Sequence, residues 1–248
     1  MHMEISVIAS GSNGNCCLVE DKGVSVLIDV GKSGSEIEDR MRRLGKSLED
    51  VNGIVITHQH HDHISGAGVL SRRFSIPVYM TNEVYSEVKF KLGKVENKMF
   101  SLTKEFKVNN LKIKPIVTSH NASSCGFVVG KFGYFTDTGF VTKQMEKAIP
   151  KLNSILLESN HDIDMLINGS YPAFLKKWIL SDEGHLSNYN AGSIINEKGK
   201  NLSLALLGHL SGNNNTPDIA SETFECLVKR KIDFSVCSRD KESGSWKI

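Results

Sequence analysis

Short apolar runs alternate with turns rich in Gly, Ser and Asn over the first thirty residues of the chain. The runs Glu4–Ser10, Cys16–Glu20 and Val24–Val30 predict three successive strands, because each has the length of a strand and ends at turn-forming residues. The connecting turns are Gly11–Asn15 and Asp21–Gly23. The chain therefore begins with β-structure.

Helical spacing begins directly after these strands. Ser33 and Glu36 fit a capping box, Ile37 and Met41 follow at helical intervals, and Gly45 ends the predicted helix. The later helices are predicted at Ala67–Phe74, Asn82–Leu92, Thr142–Ala148, Pro172–Leu180 and Asn188–Asn196, and from a Thr216 cap with Pro217 in the first turn to about Lys229.

The remaining apolar runs predict a second series of strands. These strands are Gly53–Thr57, Ile76–Met80, Phe106–Val108, Leu111–Thr118, Gly126–Val129, Gly133–Thr136, Ser154–Glu158, Leu202–Leu207 and Phe234–Cys237. Groups of strands alternate with mixed groups, which predicts an α/β (α+β) fold: two mixed β-sheets packed together and flanked by helices, an αββα sandwich. No low-complexity tract or Pro-, Gly- or Ser-rich linker interrupts the chain, so we expect a single domain over 1–248.

Composition places the chain among ordinary globular proteins. With 248 residues, 40% of them hydrophobic and 23% charged, it is neither a disordered tail nor a small disulfide scaffold. The formal charge of +2 does not indicate nucleic-acid or membrane binding by the whole surface. There is no apolar run of membrane-spanning length, no signal-peptide pattern, and an odd number of cysteines without a C-x-x-C pair. We expect a cytoplasmic protein that contacts no membrane.

Nine histidines are the unusual feature, and His2 is set aside as a position near the N-terminus. The segment Thr57-His58-Gln59-His60-His61-Asp62-His63 directly follows a predicted buried strand. Four histidines and one aspartate cannot all be buried unless each has a hydrogen-bond partner or a metal ion. A tight loop can direct alternate side chains of this segment at one point. His58 and His60 are then candidate ligands of one metal ion, and Asp62 and His63 of a neighbouring ion. The alternative is a solvated histidine-rich loop.

The pattern His58-x-His60-x-Asp62-His63 resembles the signature of the metallo-β-lactamase fold superfamily. Its other landmarks follow in order along the chain: Asp29 in Leu27–Gly31, His120 in Thr118–His120, Asp137 in Phe135–Gly139 and His209 in Leu207–Ser211. The resemblance implies two divalent metal ions (Zn, Mn or Fe). One would be held by His58, His60 and His120, the other by Asp62, His63 and His209, with Asp137 bridging them and Asp29 orienting a ligand imidazole.

Four sequence blocks resemble the WalJ (YycJ) family of nuclease-like proteins: Ala9–Cys16, Leu157–Asp162, Gly184–Asn188 and Gly208–Pro217. The segment His120–Phe127 lacks the H-T-P-G-H pattern of glyoxalase II-like thioesterases and β-lactamases. The stretch from Asp137 to His209 is too short for the β-CASP insertion of RNase J-like nucleases. Ser181–Ser187 is similar to the segment of tRNA 3′-processing nucleases in which a histidine paired with a glutamate protonates the leaving group. His185 and Glu158 are the matching residues.

This resemblance implies a dinuclear metal-dependent phosphodiesterase, a DNA 5′-to-3′ exonuclease-like enzyme that uses a metal-activated hydroxide. Asp62 would accept a proton from the attacking water, and His185, held by Glu158, would protonate the leaving oxygen. The predicted substrate contacts are Ser12, Asn13, Asn15, Asn160 and Asn213. For the loop Gly11–Asn15, a simple tight turn is an equal alternative.

Two other functions remain open at this point. A hydrolase of a small ester, thioester, lactone or cyclic phosphodiester suits the near-neutral charge. A non-catalytic module that binds nucleic acid or a regulatory partner is the third hypothesis, although degenerate members of the superfamily would usually have lost ligands. Arg72 and Arg73, and Lys176 and Lys177, are either local nucleic-acid contacts or solvated helix faces. The pattern gives no oligomeric state and does not separate DNA from RNA.

Overall fold

The chain forms two compact units. The computed structural model describes residues 3–120 and 123–248, so His2, Asn121 and Ala122, which fall within the sequence segments considered above, lie outside the described residues. The first unit comprises the chain up to Pro115 together with Ser238–Ile248, and the second comprises Ile116–Cys237. The organisation of 1–248 as a single domain stays a prediction.

The first unit is built on a mixed seven-stranded sheet. Its strands, in spatial order, are β14 (Gly244–Lys247), β1 (Glu4–Ala9), β2 (Cys16–Asp21), β3 (Val24–Ile28), β4 (Val51–Val55), β5 (Val78–Met80) and β6 (Asn97–Met99). Pairing is antiparallel from β14 to β3 and parallel from β3 to β6. Because parallel strands end at the same edge, the segments after β3 and β4 lie side by side.

Four helices and a short 3₁₀ turn complete the first unit. They are α1 (Gly34–Arg43), the turn Leu48–Asp50, α2 (His61–Ile64), α3 (Ala67–Phe74) and α4 (Asn82–Leu92). Ile37 and Met41 of α1, Leu70 of α3 and Val88 of α4 pack with buried strand residues in one core. The capping predictions are confirmed, since the Ser33 hydroxyl accepts from the Glu36 amide and α1 gives way to Gly45, which has a φ of +70°.

The second sheet also has seven strands. In spatial order they are β13 (Asp233–Val236), β12 (Leu204–Gly208), β11 (Ser154–Glu158), β10 (Phe132–Phe135), β9 (Cys125–Val129), β8 (Leu111–Val117) and β7 (Phe106–Val108). Strands β13 to β10 are parallel, and β10–β9 is antiparallel. The helices of the second unit are α5 (Lys143–Ala148), α6 (Ile163–Asn168), α7 (Ala173–Ile179), α8 (Asn188–Lys198) and α9 (Pro217–Leu227), with a 3₁₀ turn at Ile149–Lys151.

Helices α5, α8 and α9 build the core of the second unit. Met145 of α5, Ala191 of α8 and Phe224 of α9 pack with buried residues of β10, β11 and β12. Thr216 caps α9 by accepting from the Ile219 amide, and Pro217 occupies its first turn, as the sequence predicts. Two mixed sheets flanked by helices confirm the predicted fold class.

The structure departs from the predicted elements at β6, β14, α6, the histidine-rich segment and the end of α9. Strands β6 and β14 were not predicted, and neither was the six-residue helix α6. The histidine-rich segment was predicted as a loop, but its second half is the helix α2, so that part of the prediction is wrong. Helix α9 ends at Leu227 instead of near Lys229.

The structure was searched for membrane-spanning helices over residues 3–120 and 123–248, and none was found. Within these ranges, every helix is too short or too polar to cross a bilayer.

Candidate functional site

Asp29 and Thr57 stand where two neighbouring parallel strands of the first unit end. The Asp29 amide donates to the carbonyl oxygen of Val55 at 2.9 Å, and its carboxylate accepts from the amide and the hydroxyl of Thr57 at 2.9–3.0 Å. Asp29 has a φ of +60°, a left-handed conformation that Asp adopts more readily than most residues. The predicted histidine motif therefore starts from a fixed, buried anchor.

His63 is oriented by that anchor. Its Nδ1 lies 2.8 Å from the Asp29 carboxylate, and both side chains are fully buried. A carboxylate on Nδ1 leaves Nε2 as the nitrogen that faces a ligand, and it fixes the plane of the ring. The sequence predicts that Asp29 orients a ligand imidazole, and the structure places its carboxylate against His63, whose role as a metal ligand stays a prediction.

The other motif residues of the first unit crowd around His63. The Nε2 atom of His58 and the Nδ1 atom of His60 are 3.0 Å apart, and the His58 and His63 ring centroids are 4.1 Å apart. The carboxylate of Asp62 lies 3.4 Å from His63 Nε2. His61 is exposed, in contrast to its neighbours. The motif thus gathers three imidazoles and one carboxylate, and it sends the fourth histidine to the surface.

Asn15 and Gly31 hold the motif loop from the side. The Asn15 amide nitrogen of the backbone donates to the carbonyl oxygen of Asp62 at 2.8 Å, and its side-chain Nδ2 lies 3.2 Å from His63 Nε2. A β-carbon at Gly31 would fall 1.7 Å from the Asp62 carbonyl oxygen, so only glycine fits there. Ser12 and Asn13 are exposed at the tip of the same loop. Asn15 therefore supports Asp62 and His63, whereas the sequence predicts for it a contact with substrate.

The second unit places its site residues at three parallel strand ends. Asp137 follows β10, Glu158 is the last residue of β11, and His209 follows β12. Asp137 and His209 have φ values of +54° and +56°, outside the range most residues adopt. Such conformations persist only where the surroundings hold them, and they cluster at functional sites.

These strand ends meet around the Asp137 carboxylate. Its Oδ1 lies 3.5 Å from His209 Nε2 and 3.7 Å from His120 Nε2. His120 is held by its Nδ1, 3.2 Å from the carbonyl oxygen of Gly184. Burial lowers the pKa of His120, an effect that the nearby Asp137 carboxylate partly offsets. A histidine kept neutral in this way presents an unprotonated nitrogen, which is the form that binds metal ions.

Glu158 and His185 form the shortest acid–imidazole contact of the second unit among the described residues. Glu158 Oε1 lies 2.6 Å from His185 Nδ1, while Oε2 accepts from the backbone amides of Thr138 at 2.9 Å and Leu186 at 3.3 Å. Glu158 is fully buried. The Trp178 ring meets the His185 ring edge-on, with centroids 5.5 Å apart. The predicted pairing of these two residues is therefore present as a hydrogen bond.

An asparagine cluster ties together the loops that carry these groups. The Asn215 amide donates to the carbonyl oxygens of Ser159 and Asn160 and to Asn188 Oδ1, at 2.8–3.1 Å. Asn160, predicted as a substrate contact, donates from its side chain to the His209 carbonyl oxygen at 3.0 Å. Asn215 and Asn188 were not predicted to have this role. The available signal was the run Asn213–Thr216 in the last sequence block.

Asn213 lies on the surface side of the same segment. Its side-chain amide donates to the Tyr171 hydroxyl at 3.1 Å, and this contact is exposed. Its contact with substrate stays a prediction.

Four groups of the second unit have the chemistry and spacing of a metal site. Asp137, Glu158, His185 and His209 each offer one ligand atom, and these atoms lie within 4.8 Å of one another. Imidazole nitrogens and carboxylate oxygens suit Zn, Mn and Fe. Asp137 and His209, the two predicted ligands in this group, therefore offer donor atoms that suit the divalent ions implied by the motifs.

The basic pairs singled out in the sequence are partly engaged within the protein. Arg73 pairs with Glu38 at 2.5 Å, and Arg72 donates to the carbonyl oxygen of Leu92. The Lys176 ammonium donates to the carbonyl oxygen of Ile167 at 2.7 Å, whereas Lys177 is exposed. These contacts favour solvated helix faces over two dedicated cationic patches.

Comparisons with known proteins agree with the motifs. Residues 9–143 match the model of the metallo-beta-lactamase superfamily. "Exodeoxyribonuclease YycJ" of Bacillus anthracis is 33% identical over 243 residues, covering 93% of this chain and 91% of that protein. "Exodeoxyribonuclease WalJ" of Streptococcus pneumoniae is 35% identical over 229 residues, 88% of this chain and 85% of that protein. The metallo-beta-lactamase fold protein YhfI of Bacillus subtilis has the same fold, with a TM-score of 0.77 over 100% of both chains at 17% identity.

Proposed function

Since the chain belongs to the metallo-beta-lactamase superfamily and, within it, to the family of YycJ and WalJ, we propose that it is a dinuclear metal-dependent phosphodiesterase that degrades DNA in the 5′-to-3′ direction. Its family assignment from sequence is confirmed. The observation that carries the proposal is the buried Glu158–His185 pair beside Asp137 and His209.

Seven residues are the proposed metal ligands. His58, His60 and His120 would hold one ion, and Asp62, His63 and His209 the other, with Asp137 shared. Support comes from the donor types, from the oriented His63, and from the neutral His120. Bound divalent ions supply Lewis acidity, which lowers the pKa of water and offsets phosphate charge. Zn, Mn and Fe all suit these ligands.

The Glu158–His185 pair supplies the general acid. The carboxylate of Glu158 fixes His185 through Nδ1, so Nε2 is the atom that delivers a proton to the leaving oxygen. When His185 gives up this proton, Glu158 and its two backbone donors keep the ring in place for reprotonation. Asp62 would accept the proton of the attacking water.

A positioned acid separates the proposed reaction from thioester hydrolysis. Cleavage of a nucleic-acid phosphodiester expels an alkoxide, whose high pKa makes protonation valuable, whereas a thiolate leaves without help. The relatives YycJ and WalJ both carry the name exodeoxyribonuclease, which points to DNA as the substrate. Action on nucleic acid in the cytoplasm, without a membrane partner, is part of the proposal.

The test is cleavage of labelled DNA by metal-loaded protein. We expect Mn- or Zn-loaded protein to shorten DNA from a 5′ end, and His60→Ala to abolish this activity. His61→Ala is the matched control, because His61 belongs to the same motif but is exposed. Absence of cleavage of any DNA or RNA, together with turnover of a small ester or thioester, would overturn the proposal in favour of a metabolite hydrolase.

A further inference from the structure

The loop Gly11–Asn15 of the first unit is a closed turn whose tip faces solvent. The Gly14 amide donates to the carbonyl oxygen of Gly11 at 2.9 Å, which closes a β-turn, and the two residues between them are exposed. At the base of the turn, Asn15 Oδ1 accepts from the Gly11 amide at 3.1 Å, and the Asn15 amide donates to the carbonyl oxygen of Asp62 at 2.8 Å. The tip therefore has a fixed position beside the histidine-rich segment.

Two basic side chains pack against the two ends of this turn. A β-carbon on Gly11 would fall 2.6 Å from Cγ and 3.2 Å from Nε of Arg239. A β-carbon on Gly14 would fall 2.7 Å from Cδ and 2.8 Å from Cε of Lys32. Glycine at both positions leaves room for these side chains. Because a β-turn brings its first and last α-carbons within about 7 Å of each other, the Arg239 guanidinium and the Lys32 ammonium lie at the two ends of one turn.

Arg239 differs from every other arginine of the described residues. Its Nε atom is buried without a hydrogen-bond acceptor, and its guanidinium pairs with no carboxylate within residues 3–120 and 123–248. The other arginines each donate to a carboxylate or to a backbone carbonyl oxygen: Arg40, Arg42, Arg43, Arg72, Arg73 and Arg230. A guanidinium is always charged and carries only donors, so a buried Nε–H without a protein acceptor indicates an acceptor that a ligand supplies.

The backbone on both sides of Arg239 is held by hydrogen bonds. The Ser238 amide donates to Ser243 Oγ at 2.8 Å, and the Ser243 amide donates to a backbone carbonyl oxygen of β1 at 2.9 Å. The buried Arg40 of α1 donates to the carbonyl oxygen of Asp240 at 2.9 Å. These bonds tie the segment that carries Arg239 to β1 and α1 of the same unit. The position of the guanidinium is therefore set by the fold and not by a partner of its own.

The charges at this turn favour an anion with about two negative charges. Lys32 also pairs with no carboxylate among the described residues, and Asp240, which follows Arg239 in sequence, is exposed and forms no ion pair with it. Two positive charges are therefore left without a counter-charge. A phosphate monoester carries a charge of about −1.5 to −2 at pH 7 and three strong acceptor oxygens, so it matches donors at both ends of the turn. A phosphodiester carries less charge and offers fewer free oxygens.

We propose that Arg239 and Lys32 form an anion site at the turn Gly11–Gly14 that binds a phosphate monoester. The site shares no residue with the seven proposed metal ligands or with the Glu158–His185 pair. The Arg239 fork binds two phosphate oxygens, and Lys32 balances the remaining charge. Such a monoester is either the phosphorylated 5′ end of a DNA strand or a released mononucleotide, and the proposal rests on the nuclease function only in naming these two sources.

The experiment measures binding of DNA with phosphorothioate linkages, which resist cleavage, to the metal-loaded protein. The DNA carries a 3′ fluorophore and either a 5′-phosphate or a 5′-hydroxyl. Arg239→Gln and Lys32→Gln should each weaken binding of the 5′-phosphate form by roughly 10- to 150-fold, the range for loss of one charge-assisted hydrogen bond, and should leave the 5′-hydroxyl form unchanged. Arg42→Gln is the matched control, because it removes the same charge from the same unit but its guanidinium already pairs with Asp39.

Binding of thymidine 5′-monophosphate, with thymidine as its control, tests the second source. Loss of the preference for a 5′-phosphate assigns the site to the strand, and Arg239-dependent binding of the mononucleotide alone assigns it to the released nucleotide.

Two outcomes would overturn the anion site. The first is that Arg239→Gln and Lys32→Gln bind both ligands as Arg42→Gln does. The second is an equal loss for 5′-phosphate and 5′-hydroxyl DNA, because the side chains would then not recognise a monoester. If either is seen while the wild-type protein shortens DNA, the nuclease function stands. If Arg239-dependent binding is seen but no DNA or RNA is cleaved, the anion site stands and the nuclease function fails.

Discussion

Two buried carboxylates at strand ends hold two histidines in the same way. Asp29 bonds Nδ1 of His63 and is itself fixed by Thr57, and Glu158 bonds Nδ1 of His185 and is fixed by two backbone amides. In each pair the carboxylate determines which ring nitrogen faces outward. The neighbours of the two rings differ. His63 lies beside the Asp62 carboxylate, as expected of a metal ligand, whereas His185 lies beside the Trp178 ring at the end of α7, where we propose that it is the general acid.

Replacing Glu158 with Gln tests the proposed acid. The amide keeps the shape of the side chain but no longer stabilises a protonated His185, so we expect kcat on DNA to fall by about 10²-fold or more. Hydrolysis of bis(p-nitrophenyl) phosphate should fall far less, because its nitrophenolate leaving group needs no proton. Steady-state kinetics on both substrates check this, with the exposed Glu183→Gln as control. Equal losses on the two substrates would contradict the acid role.

His161 should make the protein sensitive to acid. Its side chain is buried, neither ring nitrogen has a hydrogen-bond partner among the described residues, and burial lowers its pKa to about 4. The nearby Glu158 opposes this shift and His185 adds to it. Below about pH 6.5 the unfolded chain therefore binds a proton that the folded chain does not. Stability from this residue is complete above that pH and is lost as the pH falls toward 4.

Urea unfolding at pH 7 and pH 4.5 measures this effect. We expect His161 to account for roughly 2–3 kcal/mol of the stability lost between these conditions. His161→Leu should show a smaller loss than the wild type, whereas the exposed His61→Ala should show the same loss. A His161→Leu protein with the wild-type pH dependence would contradict a buried neutral histidine.

At the scale of elements, the positions of the site residues follow from parallel strands ending at one edge. Strands β10, β11 and β12 each deliver one functional residue, and backbone hydrogen bonds such as Ser211 to Asn160 join the segments after β11 and β12. The asparagine cluster adds side-chain hydrogen bonds to these backbone contacts, because one amide can both donate and accept twice. It joins the segments after β11 and β12 to the start of α8.

Replacing Asn215 with Leu should loosen these loops together. The change removes the side-chain donor of the Ser159 carbonyl oxygen and the acceptor of the Asn188 side-chain amide, at a cost of roughly 2–4 kcal/mol for these buried groups. The Asn160 carbonyl oxygen still accepts from the Ser211 amide, and Asn188 Oδ1 still accepts from the Ser159 hydroxyl. Chemical denaturation checks the loss. Asn213→Ala is the neighbouring control, with a change within about 0.5 kcal/mol because Asn213 is exposed. Similar stability for both variants would show that the cluster does not hold the loops.

Elements with a strong pattern were predictable, and those fixed by their neighbours were not. The capping box at Ser33 and the Pro217 start of α9 are local signals, and both appear in the structure. Strand β6 is a short, largely polar edge strand, and β14 pairs with β1 across most of the chain, so neither has a local signature. The short helix α6 depends on its Asp162 cap.

The same distinction applies to the candidate site. The motif His58–His63 is contiguous, so its chemistry is visible in the sequence. The supporting roles of Asn15 and Asn215 are not visible in the sequence. Each side chain bonds to a loop that is distant in sequence, so its partner is known only from the folded structure.

On the scale of the whole molecule, a formal charge of +2 leaves little long-range attraction for DNA. Several basic side chains are also engaged internally, such as Arg73 with Glu38 and Arg43 with Glu242. The Arg43 guanidinium holds the pKa of Glu242 at about 2, as expected of a close ion pair. Affinity for DNA must then come from bound metal ions and from local contacts. We therefore expect DNA binding to depend on how many metal ions the protein holds.

Metal analysis of the purified protein is the corresponding prediction. We expect two divalent ions per chain by elemental analysis, because the seven proposed ligands suit two ions with one shared carboxylate. Asp137→Asn should lower this number, while His61→Ala should keep it. A chelator should lower the thermal midpoint, since an ion that binds only the folded chain at 100 times its Kd adds about 2.7 kcal/mol of stability. A single ion per chain would contradict the dinuclear proposal, and a chelator without effect on stability or activity would contradict metal dependence altogether.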